Sequence, residues 1–432
     1  AAMSPPAPEP ADRHTFRFEP GERLPAFFAF ALYFCVLGGY FCLRPVRDTI
    51  GTILGRQRVS DLFGYTLLAS LAIVPVYGWL CTKLRRQTFL PWIYGGMTIF
   101  LLGCAWIFSS HQENNTTVAE SFYVAISVVN LFLVSVMWSF LLELFTAGQT
   151  RRLFGFIAAG GTTGALFGPY LTSLIVDDVG NAGVLCLGAG FFSAAILLQR
   201  LLLRASAAAP WRNDPAAAQQ RSQPIGGNPF AGVLLVLKSP YLMAIALYVL
   251  GISAINTFLY FDQLDLLAKT YPDPKERTAV LAQIDTTVQA LTVLLQVFAT
   301  GRIASRWGLG VLLTVVPITM IFGMGTLAAM HTFVALVTVI IIRRVGEYAF
   351  VRPGREMLYG SLPAETKYKA KNFVDVPVYR GGDWLTTKLS NLDWKGMPTA
   401  LIGAGIAVLW LGVGWWLGRR GEHRTADTAK SA

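Results

Sequence analysis

The chain has 432 residues, of which 54% are hydrophobic and only 14% charged, against about 25% charged in an ordinary soluble domain. The apolar excess is gathered in runs long enough to cross a bilayer, which excludes a set of soluble domains of this length. The net charge of +11 is assigned to basic cytoplasmic loops, because no basic patch with interleaved aromatics, phosphate-cradling glycine loop or zinc spacing points to nucleic acid.

In chain order, Ala1 and Ala2 ahead of Met3 read as additions to the natural chain and are set aside. Residues 1–25 are Pro- and Ala-rich and lack the basic-then-apolar pattern of a cleavable leader, so a disordered cytoplasmic tail is expected there. Six spans follow near 26–50, 60–82, 89–110, 118–145, 152–176 and 181–203, forming an N-terminal bundle over 26–203. Residues 204–237, rich in Pro, Gly, Gln and Ala, read as a cytoplasmic linker. Six more spans near 238–262, 277–300, 309–330, 332–357, 370–391 and 397–418 form a C-terminal bundle over 238–418, and 419–432 is a second tail. The expected fold is an all-α membrane protein of twelve transmembrane helices in two six-helix bundles.

Loop charge sets the orientation. Lys83, Arg85 and Arg86, then Arg151 and Arg152, Arg204, Arg212 and Arg221, Arg302 and Arg306, and Arg419 and Arg420 follow even-numbered spans. Acids such as Glu113, Glu120, Asp177, Asp178, Asp273 and Glu276 follow odd ones. Both termini and the linker are therefore expected in the cytoplasm. The five cysteines (Cys35, Cys42, Cys81, Cys104, Cys186) lie in or beside apolar runs and read as packed thiols. The four histidines avoid the span centres, which argues against a histidine proton relay. Gly160, Gly164 and Gly168 on the fifth span form a small-residue face suited to a close helix crossing.

Charges inside the spans mark the candidate site. Arg44, Arg47 and Asp48 share one helix face around Pro45, at i, i+3 and i+4. Their late position also allows them to reach the outer interface. Arg343 and Arg344 sit about a dozen residues into their span, near the bilayer midplane at roughly 1.5 Å per residue. Glu347 is spaced to pair with either. A charge at that depth costs about 2.5–3.5 kcal/mol facing lipid, so these groups should face protein or a wet cavity. Arg380 and Asp383 are i, i+3 on the next span beside Gly381 and Gly382, and Lys371 and Asp375 are i, i+4 near its inner end. Asp285 lies in a polar run on the eighth span. Glu143, Arg352, Arg355, Glu356, Lys367 and Lys369 are rim charges. At mid-span arginines outnumber acids, and arginine suits bidentate carboxylate or phosphate recognition. A site that locks helices through ion pairs alone would show the same residues.

The halves echo each other. Gly78–Arg86 (GWLCTKLRR) after the second span and Gly301–Gly308 (GRIASRWG) after the eighth resemble the loop motif of the major facilitator superfamily, with Thr82 and Ser305 at the usual aspartate. LRPVRDT (Leu43–Thr49), QIDTT around Asp285 and YKAKNFVDVPVYRGGD (Tyr368–Asp383) resemble the ATP/ADP translocase family of nucleotide transporters. That resemblance covers essentially the whole membrane region. It implies a facilitator-type fold and nucleotide exchange, with Arg47 and Arg380 matching functional basic positions of the first and eleventh helices. The membrane acids that the family carries in helices four and seven are missing here, around Ile126–Asn130 and Asn256–Phe258.

The expectation is a secondary transporter, not an enzyme, that moves a phosphorylated organic anion by alternating access, nucleotide exchange leading. Proton- or sodium-coupled transport of another organic anion is the alternative, and a ligand-binding receptor or scaffold the alternative of another class. Arg44, Arg47, Asn256, Arg343, Arg344 and Arg380 are the expected substrate contacts; Asp48, Asp285, Glu347, Asp375 and Asp383 are the expected pairing or coupling acids. No cofactor, metal or nucleic acid is expected. The partners are the lipid bilayer and the small anionic solute, and the chain should act as a monomer in a bacterial inner membrane.

Overall fold

The structure is a computed structural model that describes residues 18–83, 86–110, 115–208, 231–360, 362, 364–391 and 399–431. Most of the expected N-terminal tail (1–17) and the middle of the expected linker (209–230) lie outside the described residues. So do Arg85, Glu113, Arg212 and Arg221.

Regular structure among the described residues is helical throughout. Helix Arg23–Lys83 is broken at Gly55, giving α1 (23–54) and α2 (56–83). α3 is Arg86–Ser109 and α4 is Thr116–Leu144. Helix Ala147–Ala207 is broken at Gly180, giving α5 (147–179) and α6 (181–207). A short helix, Ala231–Lys238, precedes α7 at Pro240–Thr270. α8 begins at Pro274–Leu295, passes through a wide π turn at Gln296–Thr300 and continues to Gly308, after which α9 runs over 309–329. α10 comprises Phe333–Gly346, a π turn at Glu347–Val351 and Arg352–Gly360. α11 comprises Ala364–Phe373, a π turn at Val374–Val378 and Tyr379–Ser390, and α12 is Thr399–Ser431.

Seven helices among the described residues are long and apolar enough to cross a membrane. α10 and α11 fall outside that set for a physical reason: their interiors carry the charges that mark the site.

Local chemistry sets many boundaries. Asn115, Thr146, Ser239, Asp273 and Thr332 each accept a backbone N–H at a helix start. Thr146 and Gln149 complete a capping box, and Pro240 and Pro274 occupy first-turn positions where no N–H is needed. The breaks between paired helices fall on glycines with φ of 80°, 65° and 77° (Gly55, Gly180 and Gly308). A side chain would strain that backbone, so glycine permits the reversal in a single residue.

Buried apolar side chains form two large clusters, one drawn mainly from residues 26–202 and the other from 236–417. A third, small cluster of Val59, Leu62, Tyr123, Phe261 and Leu264 joins α2 and α4 to α7. Within the first, α5 lies directly on α1. A Cβ on Gly160, Gly164 or Gly168 would collide with the backbone carbonyls of Phe30, Phe34 and Gly38, and Thr172 bonds the Cys42 carbonyl at 3.2 Å. α12 approaches α9 in the same way at Gly414 and Gly418.

Three local expectations change. Glu22 is buried and bonded by Gln149 and Arg152, so the end of the expected tail is part of the packed structure. The end of the expected linker is the helix Ala231–Lys238, whose Val236 is buried in the second cluster. The expected second tail continues α12 as helix to Ser431.

Candidate functional site

Bonds and ion pairs between the two halves of the chain concentrate at mid-span and toward the end bearing Gly55. At mid-span, α1 supplies Arg44, Arg47 and Asp48, one helical turn around Pro45. Arg47 binds Asp48 through Nε at 2.9 Å and Nη2 at 2.5 Å. Arg44 lies 3.9 Å from Asp48 and 3.8 Å from Asp285 of α8. The other oxygen of Asp285 accepts from Arg344 Nη1 at 2.5 Å. One carboxylate of the C-terminal half is thus shared by guanidinium groups from both halves.

The neighbouring Arg343 turns to its own helix and donates to Glu347 at 2.8 Å. Glu347 opens the π turn of α10, and Arg352 reaches its other oxygen at 3.4 Å while stacking over Tyr348. Arg343 and Arg344 are each only 5% exposed. The sequence allowed Glu347 to pair with either arginine; it pairs with Arg343, and Arg344 takes Asp285.

A cavity of about 20 Å³ opens among these groups, lined by Arg44, Asp48, Arg343 and Arg344, and by Asn256, Tyr260 and Gln263 of α7, with Leu259 and Ile340. That volume holds one or two water-sized bodies and no organic solute. On its wall, Nε of Arg343 and both Nε and Nη2 of Arg344 are buried without a hydrogen bond, as is Oδ2 of Asp285 behind Arg344.

The expected residues do not all meet in this cavity. Arg47 points to the tyrosine pair beside it, 5.7 Å from the Tyr123 ring. Tyr123 and Tyr260 share a 2.8 Å hydrogen bond between halves, and Tyr260 donates to Asp48 at 3.3 Å. Arg380 forms a separate centre with Asp383 at 3.5 Å and crosses to α4, where it donates to the Ser127 carbonyl at 2.8 Å. Asp383 also accepts from Ser253 at 2.6 Å and Thr257 at 3.3 Å. Asp375 pairs with Arg355 at 3.1 Å and not with Lys371, which binds Glu356 at 2.6 Å. Asp375 lies within the π turn at Val374–Val378, whereas Lys371 lies on the regular helix before it.

Sequence reasoning passed over Ser253, Thr257, Tyr260 and Gln263. Together with Asn256 they form a polar stripe at helical spacing along α7, a pattern that could have revealed them. It also passed over the seal at the Gly55 end. There Arg56 reaches Asp265 at 2.8 Å, Asn391 at 3.3 Å and the Ser390 carbonyl at 3.3 Å. Asn391 bonds Ser60, Thr49 bonds Thr278, and Lys388 faces Asp61. Among the described residues no group of three or more His, Cys, Asp or Glu side chains is placed to hold a metal ion.

The comparisons with known proteins agree on one class. The Major Facilitator Superfamily profile matches residues 29–355. Among solved structures, the nucleoside transporter NupG is similar at 16% identity and a TM-score of 0.64, over 92% of this chain and 99% of that one. The xylose transporter XylE from E. coli is similar at 14% identity and a TM-score of 0.61, over 90% and 95%. A bacterial homologue of the iron transporter ferroportin is similar at 10% identity and a TM-score of 0.63, over 92% and 99%. No curated protein sequence matches. At these identities the structural likeness shows a shared fold, whereas the profile match covers most of the chain. The chain is a multi-pass membrane protein and secondary transporter that belongs to the Major Facilitator Superfamily.

Proposed function

We propose that this transporter carries an organic anion, recognised at mid-span by Arg44, Arg343 and Arg344 and released by rocking of the two helical bundles, 26–203 and 238–418. One observation carries the reading: three guanidinium groups from both halves line one cavity and are held by carboxylates that an entering anion would displace. Carboxylate-for-substrate exchange links binding to rearrangement, because Asp285 is paired with both halves at once. The cross-links at the Gly55 end support a conformation closed on that side.

Within this class, a phosphorylated anion exchanged as in nucleotide transport is the form favoured by the motifs around Arg47, Asp285 and Arg380. Asn256 then offers an amide where nucleotide exchangers carry an acid. Ion-coupled transport of a non-nucleotide anion is the second reading, favoured by that missing acid and by the second buried centre at Arg380 and Asp383, a pair that can take up a proton separately from the cavity. The positive loops support a bacterial inner membrane with both termini cytoplasmic, and the chain is taken to act as a monomer.

Proteoliposomes decide between these readings. Uptake of labelled ADP that requires internal ADP supports exchange; uptake of an anion that requires only a proton or sodium gradient supports the second reading. Binding without uptake under either condition would instead make the chain a receptor.

A further inference from the structure

The charges grouped at mid-span around the cavity do not balance, and the imbalance has an address. Arg44, Arg47, Arg343 and Arg344 stand against Asp48, Asp285 and Glu347, each acid lying against at least one guanidinium. Four cations face three anions. Arg352 also touches Glu347, but its side chain is 57% exposed and does not line the cavity, so it stands outside this count. Arg380 and Asp383 form a self-balanced pair outside the cavity. Arg47 has Asp48 and Arg343 has Glu347, whereas Arg44 and Arg344 must share Asp285. The surplus is therefore one positive charge, and it sits at the cavity wall.

The geometry of Arg344 shows what would neutralise it. Its Nη1 is engaged by Asp285, while Nε and Nη2, both buried, have no partner. Those two nitrogens form the side-on edge of the guanidinium plane, the edge that engages two oxygens of one carboxylate or phosphate in parallel. Buried donors without acceptors are rare and costly, so an edge left unpaired inside a charged cavity is a built receptor for a two-oxygen anion.

We infer that the transported solute bears a single negative charge on a two-oxygen group, a carboxylate or a phosphodiester, which seats on the Nε–Nη2 edge of Arg344. This rests on the anion reading above and, within it, favours the non-nucleotide form, because ADP and ATP carry several negative charges where the site has room for one. A singly charged group neutralises the site; each further charge leaves an uncompensated anion in a low-dielectric interior. Asn256, Tyr260 and Gln263 on the facing wall supply neutral donors and acceptors for the rest of the solute.

The test is a charge series read by thermal unfolding of the purified full chain in detergent. One arm uses lactate, malate and citrate; the other uses cyclic AMP, AMP, ADP and ATP. The arms separate a carboxylate from a phosphate ester, and within each the charge rises stepwise. The expected result is strongest stabilisation by the singly charged member of one arm, with apparent affinity falling about tenfold or more at the next charge. Affinity that climbs with charge overturns the inference and leaves the anion reading standing. No stabilisation in either arm overturns both.

Two variants add a readout that a purely structural role would not move. Asp285→Asn raises the surplus to two and should shift the preferred ligand to the doubly charged member. Arg344→Lys keeps the charge but removes the edge, so it should weaken the best ligand by about tenfold without changing the order of preference. An unchanged preference in folded Asp285→Asn counts against the inference, and the wild-type series decides it should that variant not fold.

Discussion

Arg44 on α1 lies 3.8 Å from Asp285 on α8, so a single carboxylate joins the two halves of the chain at mid-span. Because Arg344 holds the other oxygen, Asp285 cannot be removed without exposing two guanidinium groups to a low-dielectric interior. Asp285→Ala should lower stability by about 3–5 kcal/mol, the usual cost of orphaning a buried ion-pair partner. Replacing Asp285 and Arg344 together with leucine should cost less than the sum of the single changes. Thermal unfolding of the three variants measures the coupling, and strict additivity would mean that the pair does not act as a unit.

Arg380 tests the second buried centre. It ties Asp383 on its own helix to the Ser127 carbonyl on α4. Arg380→Ala should abolish uptake in proteoliposomes while expression stays intact, because the contact between halves is lost but Asp383 keeps Ser253 and Thr257. Full activity in that variant would remove Arg380 from the transport cycle.

At the Gly55 end, Arg56 holds Asp265, Asn391 and the Ser390 carbonyl and lies 5.0 Å from the Phe261 ring. Arg56→Ala should shift the population toward states open at that end, by about threefold to tenfold for a partly solvated pair. Labelling of Thr49→Cys, with and without Arg56→Ala in a background lacking the five native cysteines, reports it, since Thr49 is buried within this seal. Unchanged labelling would show that Arg56 does not latch the halves.

Helix crossing makes a separate demand. A Cβ at Gly164 would strike the Phe34 carbonyl, whereas Gly103 has nothing within 4 Å. Gly164→Ala should cost about 1–3 kcal/mol of stability and Gly103→Ala close to none, measured by thermal unfolding.

Much of this was legible in the sequence, for reasons that differ by feature. Apolar runs and turn residues placed the long helices, because crossing a bilayer demands continuous apolar length. Buried charge gave Arg343, Arg344 and Asp285, because no lipid-facing position tolerates them cheaply. Pairing was harder. Glu347 was within helical reach of two arginines, and only the approach of α8 to α10 assigns Arg344 to Asp285. The π turns at Glu347–Val351 and Val374–Val378 rotate side chains relative to a regular helix and leave no plain mark in composition, so the partnership of Asp375 with Arg355 is not readable from spacing. Tyr260 and Gln263 carry no charge to mark them at depth, although their spacing with Asn256 on α7 is helical.

Transport itself tests the account most directly. Uptake of the best-stabilising labelled anion should be compared in proteoliposomes holding wild type, Arg344→Gln, Arg44→Gln and, as control, Trp106→Ala at an exposed apolar position. Loss of about a hundredfold or more in each arginine variant, with the control unchanged, is the expected result for charge-assisted contacts to the solute. Wild-type uptake by folded Arg344→Gln would contradict it.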